Sequence, residues 1–362
     1  MNKAMLAFAA EVLPTPVKNV IKRYPPLCDL RRLLIRRQDY WQKVLRGKHL
    51  SIELTNSCNL ACKYCPRDAM LKRKTREIGY MDSNLFKRIV DQAAALKLEV
   101  ISEVGYGEPL MHPDFVESIR YLRQKMPSVE ILLSTNAILL SERVAGAIVE
   151  CEVDQIVLSL NLASREKYEA INGADRYDLV VQNVKNFLSI LNRDGIKRRT
   201  HAYVQILKEL HTQSELDEFR KLWSPLMAPN AELSVKPLTD WAGLVDLSSL
   251  GVAGLSASSN ENPFEPDRYP CTAIYGRVIT FDGRVLACCL ALPIMPKELI
   301  VGDARVQALE DIMDNDKVRH LKRLNLNEGL ETIFPCRNCN RWRDRPNIFV
   351  KNRIPMMKRK WY

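Results

Sequence analysis

The chain has 362 residues, of which 46% are hydrophobic and 27% charged, and its formal net charge is +11 at pH 7. These fractions are typical of a soluble globular protein with a sizeable core. No apolar run reaches the roughly 18 residues that a membrane span needs. The apolar patch at residues 5–10 lacks a cleavage region, which argues against a signal peptide and favours a cytoplasmic protein.

The positive charge is concentrated at the two ends of the chain. Residues 1–48 hold eleven Lys and Arg against three acidic residues, and residues 341–362 hold eight against one. Such arms are either solvated surfaces or contacts for an anionic partner such as a phosphate-bearing substrate, a membrane surface or an acidic protein. The helical piece at 27–46 would lie on an anionic membrane or, as we prefer, pack across the bottom of a barrel.

After residue 48, short apolar runs alternate with longer amphipathic ones. Strands are predicted at 50–55, 99–104, 129–134, 155–160, 201–206 and 231–236. Helices are predicted at 83–97, 113–126, 141–150, 164–171, 177–193 and 214–223. Consecutive strands are thus separated by helices, most of which have ten or more residues. Such spacing is typical of right-handed βαβ crossovers, which connect parallel strands, so a parallel sheet is predicted. The sequence therefore predicts an α/β fold, a partial TIM-like (β/α)6 barrel, with its active site at the carboxyl ends of the strands.

Three cysteines follow the first predicted strand directly, at Cys58, Cys62 and Cys65. A structural zinc site takes four protein ligands, so three thiols are an unusual number for zinc. A four-iron cluster held by three thiolates keeps one iron open to a substrate or cofactor. This spacing and this position at a strand end favour a cluster.

A second unit is predicted at about 269–345, after a segment rich in Gly and Ser at 241–262 that is a linker or a loop over the site. Two alternating runs between residues 275 and 289 are joined by Asp282-Gly283, a strong signal for a two-residue hairpin turn. Pairing across such a turn places Cys288 opposite Arg277. A helix is predicted at 305–324.

Four further thiols belong to this unit: Cys271, Cys288, Cys336 and Cys339. Four cysteines around a hairpin fit a structural zinc as well as an iron–sulfur cluster. Cys289 is either a bystander or the true ligand in place of Cys288. Without an export signal, metal or cluster ligation in a reducing cytoplasm is a better interpretation of the ten cysteines than disulfides.

The C-x3-C-x-aromatic-C pattern, with Tyr64 as the aromatic residue, resembles the signature of the radical S-adenosylmethionine (SAM) superfamily. The resemblance implies that SAM chelates the open iron of a 4Fe–4S cluster and is cleaved reductively to a 5′-deoxyadenosyl radical.

The spacing from Cys271 through Gly283 to Cys288 resembles the auxiliary-cluster domains called SPASM and twitch. Because no cysteine follows Cys339, the resemblance is to the shorter twitch form, with one auxiliary 4Fe–4S cluster. Beside a SAM-binding triad, this resemblance favours a cluster over zinc.

The resemblance also implies SAM contacts. Gly105, Gly107 and Glu108 match the "GGEP" element near the SAM ammonium, with Tyr106 in place of its first glycine. Tyr64 would pack on the adenine. The strand-end residues that match ribose or carboxylate contacts are Ser134, Asn136, Ser159 and Asn161.

Two further features of the SAM site follow from the same resemblance. Asn172 stands where many relatives carry an arginine, which leaves the partner of the SAM carboxylate open. Arg165 is a candidate substitute for that arginine. The segment 240–243 resembles a nucleoside-side loop.

The expected domains are a basic extension at 1–48, a radical SAM barrel at 49–240, a linker at 241–268, a twitch-type β-hairpin and helix domain at 269–345, and a basic tail at 346–362. The resemblance implies hydrogen abstraction and net two-electron oxidation of a small polar substrate, like a sugar or an aminocyclitol, with the auxiliary cluster as electron acceptor. A maturase of a ribosomally made peptide and a non-catalytic iron–sulfur scaffold are the alternatives.

The expected partners are a small-molecule substrate, with an anionic one as an option, and an electron donor such as flavodoxin or ferredoxin. Nucleic acid is not expected, and peripheral membrane contact is a weaker option. The sequence leaves the catalytic base open among Arg, Lys, Glu and Tyr residues near the barrel mouth.

Overall fold

The computed structural model describes residues 43–44, 46–103, 105–251, 271–327 and 329–339. The predicted helical piece at 27–46, most of the linker, Cys28 and both basic ends therefore lie largely or wholly outside the described residues. None of the helices in the described part combines the length and the apolar character that crossing a membrane requires.

Six parallel strands form the barrel wall and follow one another in the sheet in chain order. They are β1 (His49–Ile52), β2 (Val100–Glu103), β3 (Glu130–Thr135), β4 (Gln155–Asn161), β5 (His201–Leu207) and β6 (Ala231–Lys236). All six strand predictions are confirmed, with bounds that differ by at most three residues. Consecutive parallel pairing is what helical crossovers of one hand produce.

Helices cover the outside of the sheet. They are α1 (Arg67–Arg73), α2 (Ser83–Ala95), α3 (Phe115–Lys125), α4 (Glu142–Glu150), α5 (Arg165–Asn172), α6 (Tyr177–Asn192), α7 (Gln213–Trp223), α8 (Leu309–Met313) and α9 (Asp316–Leu326). Side chains cap the starts of two of these helices: the Asp82 carboxylate accepts from the amides of Asn84 and Leu85, and the Ser141 hydroxyl accepts from the Val144 amide at the start of α4.

The single helix predicted at 305–324 is wrong, because the chain forms α8 and α9 with a break between them. The Asn315 side chain accepts a hydrogen bond from the Val318 amide at 2.9 Å and starts the second helix. An N-cap residue inside an otherwise helical stretch favours a new helix start over continuation.

The C-terminal hairpin continues the barrel sheet. Its strands are β7 (Arg277–Ile279) and β8 (Arg284–Leu286), followed by β9 (Ile300–Asp303), and β7 pairs parallel with β1. The nine described strands therefore form one sheet in the order β6-β5-β4-β3-β2-β1-β7-β8-β9. β1 lies inside this sheet and joins the barrel to the C-terminal unit.

The predicted hairpin register is wrong by one residue. Val278 pairs with Leu286, and the Thr280 amide donates to the Arg284 carbonyl at 2.9 Å, so the turn contains three residues. Gly283 supplies the left-handed position of that turn with φ +87°. Continued along the hairpin, this register sets Cys288 opposite Gly276 rather than Arg277.

Burial alternates along β4 and β5 and defines an inner face. On β4 and β5 the helix-facing side chains Ile156, Leu158, Val204 and Ile206 are fully buried. The alternate residues of both strands are only half-buried, except at the strand ends, where Asn161 and Leu207 are buried. Because successive side chains of a strand point to opposite faces, the half-buried set lines the barrel interior.

A buried ion pair fastens the hairpin turn to the barrel. Arg76 Nη1 donates to Glu53 Oε1 at 3.0 Å, a second contact joins Nη2 to Oε2, and neither side chain is exposed. The Phe281 amide approaches Glu53 Oε2 at 3.4 Å, and the Arg76 guanidinium lies over the Phe281 ring, 5.4 Å from its centroid. The pair thus joins β1, the segment before α2 and the hairpin turn.

Replacing Arg76 by Met should destabilise the protein by roughly 3–5 kcal/mol, because the Glu53 carboxylate stays buried without its counter-charge. Chemical denaturation of the full chain measures this change. The matched control is Lys72→Met, since the Lys72–Asp68 pair has side chains 76% and 66% exposed and should contribute little. Equal destabilisation by the two variants would contradict the proposed role of the buried pair.

Candidate active site

The first cysteine group lies in the loop between β1 and α1. The end of α5 holds this loop: the Ala61 amide donates to the Asn172 carbonyl at 3.1 Å, and the Lys63 amide donates to the Ile171 carbonyl at 2.9 Å. Within the loop, the Cys65 amide donates to the Cys62 carbonyl at 3.0 Å. Main-chain bonds therefore fix the curvature of the loop that carries the three thiols.

The three thiols influence one another electrostatically. The pKa of Cys62 is raised to about 12, chiefly by burial and then by the charges of Cys65 and Cys58. Burial is also the main cause of the raised pKa of Cys65, about 11. The pKa of Cys58 is raised as well, again mainly by burial. Without a bound cation these thiols are protonated, whereas a bound metal centre would hold them as thiolates.

The chemistry of this donor set fits an iron–sulfur cluster. The three side chains are thiols, which such clusters take as ligands, and each is partly accessible. Among the residues that the structure describes, no group of three or more His, Cys, Asp or Glu side chains is arranged to hold a single metal ion.

The loop after β2 docks against the cysteine loop, which explains its glycines. A Cβ added at Gly107 would collide with the carbonyl oxygens of Thr55 and Ser57, and one added at Gly105 would lie 2.6 Å from Glu53. The Glu108 amide donates to the Ser57 carbonyl at 2.7 Å. Both glycines are thus required by the close approach of two protein loops.

Glu108 is buried and binds protein groups on three sides. Its carboxylate accepts from the Leu110 amide at 3.1 Å, the Thr135 hydroxyl at 2.6 Å and the Asn136 amide at 2.7 Å. Burial raises its pKa to about 7, against these hydrogen bonds. The carboxylate therefore joins the β2 loop to the end of β3, and its expected contact with the SAM ammonium stays a prediction.

Asn136 and Asn161 reach the cysteine loop from two strand ends. Asn136 Nδ2 donates to Asn59 Oδ1 at 2.7 Å and lies 3.9 Å from the Cys58 sulfur. Asn161, with φ +61°, donates from Nδ2 to the Tyr64 hydroxyl at 3.1 Å. The structure thus brings these two predicted residues to the cysteine loop, while their role as SAM ligands stays a prediction.

A row of polar side chains crosses the inner face of the barrel. The hydroxyls of Ser134 and Ser159 lie 3.3 Å apart, Gln205 donates to Asn161 Oδ1 at 3.0 Å, and Gln205 is the cross-strand partner of Ser234. We call Ser134, Ser159, Gln205 and Ser234 the lumen row. Sequence reasoning missed Gln205 and Ser234, although the period of two along β5 and β6 would have placed them on the inner face.

Asn172 and Arg165, the two other positions singled out in the sequence, have different surroundings. The Asn172 side chain is buried, and its Oδ1 has no hydrogen-bond partner. Arg165 is half-exposed and pairs with Asp175 at 2.9 Å and with Asp178. Its role as a substitute for the missing arginine stays a prediction.

The second cysteine group gathers around Cys288. The pKa of Cys288 is raised well above its usual value, first by the neighbouring Cys289, then by burial and by the charges of Cys271 and Cys336. Cys339 follows one turn after Cys336, with its amide donating to the Cys336 carbonyl at 3.2 Å. The nine described cysteines are free thiols, so this group too offers thiol donors that suit a cluster.

Asn325 orients the first of these thiols and was not found from the sequence. Its fully buried side chain accepts from the Cys271 amide at 2.6 Å and donates to the Cys271 carbonyl at 3.0 Å. Nothing in the local pattern of α9 signals this contact, because its partner lies 54 residues away.

Comparison with known families agrees with this geometry. Residues 52–209 match the family model of the radical SAM superfamily, and residues 271–340 match the SPASM iron–sulfur cluster-binding domain. The chain carries a radical SAM domain and a SPASM domain. These domains imply a SAM-binding 4Fe–4S cluster and auxiliary iron–sulfur ligation, which confirms the cofactors expected from the sequence.

Curated relatives match part of the chain. The mycofactocin maturase MftC of Mycobacterium tuberculosis is 28% identical over 175 residues, which cover 48% of this chain and 41% of the relative. The probable GTP 3′,8-cyclase of Pyrococcus abyssi is 34% identical over 137 residues, which cover 38% of this chain and 42% of that protein. The chain thus spans about four-tenths of the length of these relatives.

Solved structures confirm the fold class. BtrN in complex with AdoMet and 2-DOIA aligns with a TM-score of 0.53 at 18% identity, over 81% of this chain and 92% of BtrN. SuiB of Streptococcus suis bound to the precursor peptide SuiA aligns with a TM-score of 0.56 at 17% identity, over 76% of this chain and 66% of SuiB. At these identities the likeness shows the fold alone.

Anaerobically reconstituted protein should bind about eight iron atoms per chain, as two four-iron clusters. Replacing Cys58, Cys62 and Cys65 together by Ala should leave about four, because the C-terminal thiols keep their own cluster. Iron and sulfide analysis with metal quantification measures this. Cys151→Ala, at the buried end of α4, is the control and should keep the full content. If the parent protein instead binds about four iron atoms and one zinc ion per chain, the C-terminal thiols hold zinc rather than a cluster.

Proposed function

We propose that this protein is a radical SAM oxidoreductase that oxidises a small polar substrate inside the barrel. The lumen row carries this proposal. Its hydroxyls and amide present hydrogen-bonding groups on a partly accessible inner face, whereas the opposite face of the same strands is apolar and buried. A site built to hydrogen-bond a substrate discriminates against analogues that lack those groups.

When bound, the cofactors supply a 5′-deoxyadenosyl radical for hydrogen abstraction. The chain positions the reaction: α5 fixes the cysteine loop, Glu108 fixes Asn136, and Asn161 joins Gln205 to Tyr64. The candidates for the base that removes a proton from the substrate are Tyr203, Glu232 and Lys236. They share the inner face of β5 and β6 with Gln205 and Ser234.

The C-terminal thiols support an oxidation. Cys271, Cys288, Cys336 and Cys339 provide four thiols, and Cys289 lies beside them. A site with four protein thiolates has no open position for substrate, so electron acceptance is the role that suits it. A net two-electron oxidation needs such an acceptor, because hydrogen abstraction removes only the first electron.

The reduced protein should cleave SAM slowly to 5′-deoxyadenosine even without substrate, and Cys62→Ala should abolish this cleavage by removing a ligand of the triad. Chromatography with mass detection measures the product. Cys151→Ala is the matched control, since it also removes one thiol, at a position outside both cysteine groups, and should keep the activity. Equal cleavage by the parent and Cys62→Ala would show that the triad is not the site of SAM cleavage.

Deuterium transfer should identify the substrate class. Incubation with deuterated cell extract should place deuterium in 5′-deoxyadenosine when the small-molecule fraction is added, and the peptide fraction should give none. Ser234→Ala should lower this incorporation roughly threefold to tenfold, as loss of one hydrogen bond does, without changing uncoupled SAM cleavage. Ser248→Ala is the control, because its hydroxyl is exposed and binds Asp246. No deuterium transfer from either fraction would contradict the proposal.

A peptide substrate is the second candidate. MftC is named a maturase, and SuiB has been solved with a precursor peptide. In the described sheet, β6 pairs only with β5 and forms an edge, with Val235 and Lys236 exposed. An exposed edge can add an extended peptide as a further strand. Deuterium transfer from the peptide fraction alone would favour this candidate.

A further inference from the structure

The segment directly after β6 has an unusual backbone. Trp241, Ala242 and Gly243 all adopt left-handed φ values, +55°, +62° and +77°. Only glycine adopts this conformation without steric cost, so the first two residues are strained. The buried Asp240 holds them: its carboxylate accepts from the Ala242 amide at 3.1 Å, and its carbonyl accepts from the Val245 amide at 3.1 Å.

This strained backbone directs Trp241 to the first cysteine group. The indole Nε1 donates to the Tyr64 carbonyl at 3.0 Å, and Tyr64 lies between Cys62 and Cys65 in the chain. The indole thus binds the main chain of the loop that carries all three thiols, between the second and the third of them. This contact is independent of the α5 bonds that hold the other side of the loop.

Tyr106 continues the contact toward the second group. Its ring meets the Trp241 ring edge-on, with centroids 5.5 Å apart and planes at 74°. Its hydroxyl donates to the Cys289 carbonyl at 3.4 Å, and the residue is only 7% exposed. On one side of this loop, Gly105 and Gly107 pack closely against residues 53–57, which follow β1. On the other side, the Tyr106 side chain contacts Trp241 and Cys289.

The same segment also approaches the last pair of cysteines. A Cβ added at Gly243 would lie 3.7 Å from Asn338 Nδ2, and Asn338 lies between Cys336 and Cys339. Residues 241–243 and Tyr106 therefore contact the main chain or neighbours of both cysteine groups. Core packing alone would not require hydrogen bonds from Trp241 and Tyr106 to the backbone of two cysteine loops.

We propose that Tyr106 and Trp241 are positioning residues that fix the separation between the two cysteine groups. Trp241 holds the Cys62–Cys65 backbone, Tyr106 holds the Cys288–Cys289 backbone, and their ring contact joins the two. The link itself is independent of the proposed oxidation. Its use in electron transfer, whose rate falls steeply with distance, rests on the proposed function.

Hydrogen exchange of the full, unloaded chain under reducing anaerobic conditions tests the link. Trp241→Phe should speed exchange in the Cys62–Cys65 loop and also in residues 289–292, each roughly threefold to tenfold, because the indole hydrogen bond is lost and the smaller ring reduces the contact with Tyr106. Tyr106→Phe should speed exchange at 289–292 alone, since it removes only the hydroxyl. Tyr121→Phe is the matched control: its hydroxyl binds Asp91 on the surface, and it should change neither loop.

Faster exchange confined to the segment around each substituted residue would overturn the proposal and indicate simple packing. If Trp241→Phe fails to fold, Tyr106→Phe still decides the outcome, because it removes a single oxygen atom. The test needs no SAM cleavage, so failure of the proposed oxidation leaves it valid.

A spectroscopic measurement on the loaded protein adds a second criterion. With both clusters reduced, Trp241→Phe should alter the magnetic interaction between them while keeping the parent iron content. An unchanged interaction in Trp241→Phe would contradict a fixed separation maintained by this pair.

Discussion

The buried ion pair between Glu53 and Arg76 is the contact on which the arrangement of the two units depends. Burying two charges costs several kcal/mol per ion, and this cost is offset only where further hydrogen bonds satisfy both groups. Here the Glu53 carboxylate also meets the Phe281 amide, and its own amide donates to the Ile279 carbonyl at 2.9 Å. One residue at the end of β1 thereby fixes the start of the cysteine loop and the turn of the C-terminal hairpin together.

The site around the first cysteine group is built from protein loops that hold one another. Gly107 permits the β2 loop to touch the cysteine loop, and Glu108 then extends this contact to the end of β3. Asn136 and Asn161 complete the arrangement from two neighbouring strands. Because each connection is a short hydrogen bond between buried or half-buried groups, the thiols are positioned by the barrel rather than by the loop alone.

The sequence was sufficient wherever the signal was local. The alternation of short apolar runs with longer amphipathic ones located the barrel, and cysteine spacing located both thiol groups. Helix α1 was missed because six of its seven residues lie outside the core and show no apolar stripe, Met70 being the exception. The hairpin register failed because Asp282-Gly283 occurs in two-residue and three-residue turns. A two-residue type I′ turn needs positive φ at both residues, whereas here Gly283 has it, at +87°, and Asp282 does not. Asn325 and Trp241 were missed or undervalued because their partners are 54 and 177 residues away. Gln205 was missed although the period of two along β5 is a local signal for the inner face.

In the loop after β6, Trp241 has a strained left-handed backbone. A glycine at position 241 would relieve a left-handed strain of about 1–2 kcal/mol, yet the chain has a tryptophan there. The strain is offset by the indole bond to the Tyr64 carbonyl and by the ring contact with Tyr106, together with the Asp240 bonds that shape the turn. Strain of this kind persists only where surrounding contacts over-determine the conformation, and it gathers at functional sites. Since the same indole connects the loop of one cysteine group to a side chain that binds the other, its retention is better explained by coupling of the two sites than by packing of one.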